Sequence, residues 1–326
     1  MKVVEHLEQA TEPLISYEII PPTRGGSSAG VFQTIENVLS FHPPFIDVTS
    51  HAAEVELEEQ PGGVFRRKIK RKRPGTIGLC AAIEHRFDID TVPHLLCRGF
   101  SRQETEDALI ELNYLGIENV LAIRGDDTGY RKELLNGRTR NEYAVELVRQ
   151  ITEMNRGQYL EELVDAEPAN FCIGVAGYPE KHFEAPNLEW DIQRVKEKVE
   201  AGADYIVTQM FFDNRHYFQY VKKCRAAGIQ VPIIPGLKIL TSKRHLNILP
   251  KYFHVDLPEE LSREVDAAAD DRVKDIGVEW AVRQSLDLLK NGVPSLHFYI
   301  MQNSTIVTRV VEQVMGKHQN FPVSEI

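Results

Sequence analysis

Ile15-Ser16-Tyr17-Glu18-Ile19-Ile20-Pro21-Pro22 reads as a β-strand with a carboxylate near its end. Residues 15–20 suit a strand and are mostly apolar, and two prolines close the run. Burying an unpaired carboxylate costs several kcal/mol, so such a group shifts its pKa or finds a partner. Working outward, similar short β-branched runs begin near Ile46, Thr91, Val120, Phe171, Tyr205, Val231 and Ser295. Successive starts are 31, 45, 29, 51, 34, 26 and 64 residues apart. Each interval has room for a crossover helix, which makes the strands parallel. Eight such units predict an α/β fold, a single (β/α)8 TIM barrel over residues 1–326 with insertions in the longer intervals. A doubly wound sheet is the alternative, but no GxGxxG or P-loop follows any strand.

The intervening segments carry helical signals. In residues 187–199, Leu188, Ile192, Val195 and Val199 form one stripe, and Gly202 closes the segment. Residues 104–115 and 142–154 have comparable periodicity, and Thr76 is placed to cap a short helix through Arg86. The chain has 326 residues, 42% hydrophobic and 26% charged, enough to bury a large core. Its net charge of −10 argues against a nucleic-acid or anionic-membrane partner. No apolar run spans a bilayer and residues 1–14 lack a signal-peptide core, so a cytoplasmic location is expected. Cys80, Cys97, Cys172 and Cys224 are far apart, with no CxxC pair and no adjacent His cluster. They read as reduced, mostly buried thiols, and no metal site is expected. The basic run at 65–73 invites a nucleic-acid reading, but it lies near the acidic stretch 54–59 without an aromatic platform, and reads as a solvated surface segment.

Barrel enzymes keep their chemistry at the C-terminal ends of the strands. Collecting polar residues there gives Glu18, Thr49, His94, Arg124 with Asp126, Tyr178, Gln209 and Tyr299. Only the seventh strand, ending Ile233-Ile234-Pro235-Gly236, contributes none.

Eight segments in order, YEIIPP (17–22), DVTSHA (47–52), VPHLLC (92–97), LAIRGDD (121–127), GYPEKHFEA (177–185), DYIVTQMFFD (204–213), IIPGL (233–237) and HFY (297–299), resemble the methylenetetrahydrofolate reductase family over almost the whole chain. The resemblance implies a flavoprotein that reduces 5,10-methylenetetrahydrofolate to 5-methyltetrahydrofolate with NAD(P)H through FAD by ping-pong turnover, supplying methyl groups for methionine synthesis. NADH is favoured over NADPH by resemblance to the bacterial form, and a homo-oligomer is expected. Glu18 resembles the family's catalytic acid, which protonates folate N10 as the ring opens to an iminium. Asp126 resembles a carboxylate beside the flavin that stabilises this cation, and Gly125 precedes it. Gln209 resembles the amide that contacts folate. Thr49, Ser50, Ala52, His94, Arg124, Tyr143, Ala144, Tyr178, His182 and Ala185 match FAD-binding positions. On the 188–199 helix, Asp191 and Lys198 are seven residues apart. At ~100° per residue they return nearly to one face, two turns apart, where the resemblance implies ribose and pyrophosphate contacts.

The chain departs from the family in places. After HFY it reads Ile300-Met301-Gln302-Asn303, so an arginine usual there is replaced by Asn303. Arg194 and Glu197 stand where relatives carry Asn and Arg. His245 replaces a folate-contacting Gln, and Leu249 an apolar residue that is Phe in some relatives; both are assigned, with Tyr299, to the substrate side. The sequence ends 27 residues after Tyr299, so no regulatory domain is expected. Two other readings stand beside this one: a Schiff-base aldolase using Lys238, or a non-catalytic folate- or RNA-binding protein using the 65–73 run.

Overall fold

The computed structural model describes residues 1–127, 129–135, 137–301 and 304–318. The chain opens with α1 (Val3–Gln9), β1 (Leu14–Ile19), α2 (Ala29–Glu36) and β2 (Phe45–Val48). A hairpin, β3 (Glu54–Gln60) and β4 (Val64–Lys70), precedes α3 (Thr76–Phe87) and β5 (Asp90–Leu96). Next come α4 (Arg102–Tyr114), β6 (Asn119–Ile123), α5 (Ala144–Met154), β7 (Cys172–Gly177), α6 (Leu188–Glu200), β8 (Tyr205–Thr208) and α7 (Asn214–Ala226). Then follow β9 (Ile233–Ile234), β10 (Gly236–Leu237), α8 (His245–Phe253), α9 (Glu259–Ala267), α10 (Val273–Lys290), β11 (Ser295–Met301) and α11 (Thr305–His318).

Nine parallel strands run in the order β10-β11-β1-β2-β5-β6-β7-β8-β9. β9 and β10 are two halves of one strand, interrupted at Pro235, which has no N–H to give to a ladder. The Pro235 carbonyl accepts from His297 N at 3.0 Å, and Gly236 N donates to the Thr208 hydroxyl at 2.9 Å. The eight strand positions of a (β/α)8 barrel therefore close across that break. Each expected strand begins within two residues of its observed start. The long intervals hold the insertions: the hairpin in the second, long loops around α5 in the fourth, and α8 and α9 in the last.

Period-2 alternation divides the strands between two cores. Ile15, Tyr17, Ile19, Ile46 and Val48 pack outward with the helices in the main core. Phe45, Val92, Leu121, Cys172, Tyr205, Val207 and Ile234 fill the lumen. Val3 joins that inner cluster, so α1 plugs the N-terminal end of the barrel; its backbone N–H donates to the Asn119 side chain at 2.8 Å. Gly174 makes room inside, since a Cβ there would lie 2.4 Å from the Tyr205 ring.

The helix at 102–114 is capped by Ser101, whose hydroxyl accepts from Glu104 N while the Glu104 carboxylate accepts from Ser101 N. Thr76 does not cap α3. Gly75, at φ +97°, holds the cap position, and the Thr76 hydroxyl donates to the Thr49 carbonyl at 2.9 Å. The basic run is solvated as expected, but it is a strand. Lys70, Lys68 and Arg66 stand opposite Glu54, Glu56 and Glu58, and the Lys72 ammonium lies 2.8 Å from Glu54. All four cysteines are free and buried. No helix among the described residues is long and apolar enough to cross a membrane.

Candidate active site

The alternation that sends Tyr17 and Ile19 outward turns Ser16 and Glu18 inward, and the same rule turns Asp47, His94, His297 and Tyr299 into the lumen. Above Phe45 and Val92, the lumen positions of β11, β1, β2 and β5 are therefore polar toward the mouth, while β6, β7, β8 and β9 supply Leu121, Cys172, Tyr205, Val207 and Ile234. The Glu18 side chain, 15% exposed, reaches the C-terminal mouth. Its Oε2 lies 3.6 Å from His94 Nε2, and the same nitrogen lies 3.4 Å from Asp47 Oδ2. Burial raises the Glu18 carboxyl to about 7; His94 and Lys238 oppose the shift and the Asp47 charge adds to it. Burial also raises Asp47 to about 6, against the pull of His297. Beneath them the Ser16 hydroxyl and His297 Nδ1 are 2.8 Å apart. His297 Nε2 and Asp47 Oδ1 are buried without a partner.

Tyr299 and Lys238 flank the acid. The Tyr299 hydroxyl donates to the Thr208 carbonyl at 2.5 Å, and the Lys238 ammonium donates to the Tyr299 carbonyl at 2.7 Å. Gly236 is required beside them, because a Cβ would come within 2.4 Å of the Tyr299 hydroxyl. Burial holds Lys238 below its ordinary value, with Glu18 opposing. His245, at the start of α8, accepts from Thr241 N through Nδ1 at 3.3 Å, and Leu249 is buried one turn further on. Gln209 follows β8; its amide oxygen accepts from Met210 N at 2.9 Å.

A second group lines the rim. Thr49 Oγ1 and His51 Nε2 are 3.0 Å apart, and burial with the nearby Arg73 charge holds His51 low. Ser50 is half-buried, and Ala52 packs so tightly on Gly99 that a Cβ there would lie 2.8 Å from its own. Gly125 turns the chain at φ +84°, against Leu96. The turn puts Asp126 on the exposed rim, where its charge acts on His51 and Tyr178. The side-chain bond that closes the following turn comes from Asp127, whose carboxylate accepts from Gly129 N at 3.1 Å. The Arg124 guanidinium pairs with Glu184 and stacks 5.0 Å over the Tyr143 ring, and its Nε is buried without a partner. Ala144, next to Tyr143, opens α5.

The third group joins the loop after β7 to α6. The Tyr178 and His182 rings meet edge to face at 4.7 Å. His182 N donates to the Asp191 carboxylate at 2.9 Å, and the Lys181 ammonium to the Ala185 carbonyl at 3.0 Å. Lys198 sits on the Asp191 face of the helix, and its ammonium donates to the Ala176 carbonyl at 2.6 Å. Burial lowers it to about 8, with Asp191 opposing. A buried ammonium bonded to a neutral carbonyl, together with an orphaned guanidinium Nε, is a donor set suited to an anionic cofactor.

The structure thus gathers Glu18, His94 and Tyr299 in one cluster, and Arg124, Tyr143, Tyr178, His182, Asp191 and Lys198 in another. Asn303 lies outside the described residues. Asp47, His297, Ser16 and His51 were not singled out from the sequence. Asp47 carried a usable signal, since it interrupts an apolar strand as Glu18 does. Ser16 and His297 are lumen-facing by period and His51 lies in the loop after β2; none of the three had a signal of its own.

Residues 2–315 match the family described as Methylenetetrahydrofolate reductase. Methylenetetrahydrofolate reductase 1 of Schizosaccharomyces pombe is 32% identical over 305 residues, covering 92% of this chain and 45% of its own. Methylenetetrahydrofolate reductase (NADH) 1 of Arabidopsis thaliana is 28% identical over 315 residues, covering 92% and 48%. The chain spans about half the length of these relatives. The 5,10-methylenetetrahydrofolate reductase of Pectobacterium carotovorum is 26% identical over 296 residues, covering 90% of this chain and 87% of its own. Among solved structures, an uncharacterized Clostridium thermocellum protein that binds two copies of 5-methyl-5,6,7,8-tetrahydrofolic acid superposes with a TM-score of 0.59 at 11% identity, over 98% of this chain and 100% of its own, a likeness of fold. The lumen acid, the closed barrel and the family match converge: this chain belongs to the methylenetetrahydrofolate reductase family.

Proposed function

We propose that this chain reduces 5,10-methylenetetrahydrofolate to 5-methyltetrahydrofolate, with FAD as the bound carrier and NADH, the nucleotide in the Arabidopsis relative's name, as donor. The observation that carries the reading is Glu18, a carboxyl enclosed at the mouth of the barrel 3.6 Å from His94, where burial raises it to about 7. A group with that pKa is matched to acid catalysis near neutral pH. Glu18 would protonate N10 of the folate ring and so open it to an iminium at N5. Asp126, on the rim, would stabilise the developing cation. Gln209, Tyr299, His245 and Leu249 line the substrate side.

The cofactor would be held by Lys198 and Arg124 at its phosphates, by Asp191 at a ribose hydroxyl, and by Thr49, Ser50, Ala52, His94, Gly125, Tyr143, Ala144, Tyr178, His182 and Ala185. When bound, FAD would accept hydride from the nicotinamide and pass it to the folate. The chain's own residues orient both reactants and supply the proton.

The test is anaerobic stopped-flow. NADH should bleach the flavin and methylenetetrahydrofolate should restore its colour, in separate phases. In Glu18→Gln the first phase should stay within a few-fold of the unaltered protein. The second should slow ~10²–10⁴-fold, the usual worth of a general acid. Equal losses in both phases would contradict the assignment of Glu18, and absence of a flavin signal would remove the proposed cofactor.

A further inference from the structure

Asp47 is a fully lumenal carboxylate that the chemistry above does not use. Its side chain is 1% exposed, and its Oδ2 meets the same His94 nitrogen that faces Glu18. The two carboxylate oxygens are therefore no more than 7.0 Å apart, with one imidazole nitrogen between them. We infer that Asp47 is a positioning residue for the proposed acid, occupying the His94 N–H so that the proton of Glu18 remains free for the mouth of the barrel. The inference rests on the assignment of Glu18 as the acid.

Burial disfavours a charged His94, with Glu18 opposing, and a neutral imidazole carries a single N–H. If Nε2 bears that proton, it can donate to Asp47 or to Glu18. Donation to Asp47 satisfies the more deeply buried carboxylate and leaves Glu18 with no donor from His94 to stabilise its anion. Glu18 then holds its proton. With Asp47 neutralised, the same N–H turns to Glu18, stabilises its carboxylate and favours loss of the proton. The through-space effect has the same sign, since a negative Asp47 disfavours a negative Glu18. The other groups facing this pair are His297 from β11, Tyr205 from β8, Cys80 from α3, and Lys238 and Tyr299 beside the mouth. The substitution leaves these side chains in place, but it also removes the Asp47 charge that acts on His297, Tyr205, Cys80 and Tyr299, so the Glu18 band is read by subtraction.

The experiment is a pH titration of Asp47→Asn, followed by infrared difference spectroscopy of the protonated-carboxyl band. The Glu18 contribution is identified by subtracting the same titration of Glu18→Gln. With the carboxylate oxygens no more than 7.0 Å apart, charge removal should lower the Glu18 midpoint by on the order of one pH unit, about tenfold less protonated acid at fixed pH above it. The alkaline limb of the folate-reducing phase should move the same way, while bleaching by NADH keeps its pH profile. Asp47→Ser is the second variant, for use if the amide does not fold. An unchanged Glu18 midpoint in the folded variant overturns the inference, as does a rise. The infrared midpoint needs no folate turnover, so it reads the role of Asp47 even if the reductase assignment fails. That failure would show separately, as no reduction of methylenetetrahydrofolate by the unaltered protein.

Discussion

Glu18 should cost the fold stability in the pH range where it is ionised, and replacing it by Gln isolates that cost. The carboxyl is raised from 4.5 to about 7, chiefly by burial. Below pH 4.5 the group is protonated in both folded and unfolded chains, so the wild-type side chain carries no ionisation penalty there. Between 4.5 and about 7 the unfolded chain ionises first, and folded stability is lost steadily as pH rises. Above about 7 the loss is complete. A shift of about 2.5 units corresponds to about 3 kcal/mol at ~1.36 kcal/mol per unit. Gln keeps the volume, so packing changes little. Glu18→Gln should therefore match wild type near pH 4.5 and exceed it by about 3 kcal/mol at pH 8.5. At the usual unfolding entropy per residue for a chain this size, that is roughly 5 °C in Tm. Urea unfolding followed by circular dichroism at pH 5, 6, 7, 8 and 8.5 reads it directly. A stability difference that stays flat across those pH values would refute the idea that Glu18 is held protonated by its surroundings.

Further outcomes follow from the geometry. Lys198→Met should weaken FAD retention at least tenfold while sparing the fold, because it removes a buried ammonium bonded to the Ala176 carbonyl; ultrafiltration and flavin absorbance measure the retained fraction. Gly236→Ala should destabilise the barrel by roughly 1–3 kcal/mol, since the added Cβ would sit 2.2 Å from the Thr208 carbonyl and 2.4 Å from the Tyr299 hydroxyl; a denaturant midpoint near wild type would contradict it. Ser101→Ala should cost about 1 kcal/mol through loss of the α4 capping box, read by thermal unfolding.

The barrel was legible because its signal is repetition. Each outward face, such as Ile15-Tyr17-Ile19, alternates with a lumen face, and crossover intervals recur whatever the side chains do. The hairpin was not, because its alternation is hidden by charge. Phe65, Arg67 and Ile69 share one face, but both faces are solvated, so no burial contrast marks the strand. At the site, reading strand ends located Glu18, His94 and Tyr299 but not Asp47 or His297. Asp47 stands beside Glu18 on the neighbouring strand and His297 lies one inward position before Tyr299, and pairings between strands cannot be read from one strand. Thr76 misled because its neighbour Gly75 reaches the left-handed cap conformation that Thr76 would resist, freeing the threonine hydroxyl for the Thr49 carbonyl.

The break at Pro235 gives the ring of strands a seam. Elsewhere neighbouring strands share ladders of three or more residues, but β9 and β10 contribute two each, and one of the backbone N–H groups there, that of Gly236, is accepted by a threonine hydroxyl instead of a ladder carbonyl. Local opening of a ladder costs least where it has the fewest rungs. The hoop should therefore breathe between β8 and β11. Gln209, Lys238 and Tyr299 stand on the two lips of that gap, so motions that loosen the barrel also widen the mouth beside Glu18. Amide exchange at Ile234 and Leu237 should then outpace that at Tyr17 and Leu121, and the fold's weakest joint becomes the place where a flat, bulky reactant has the easiest passage.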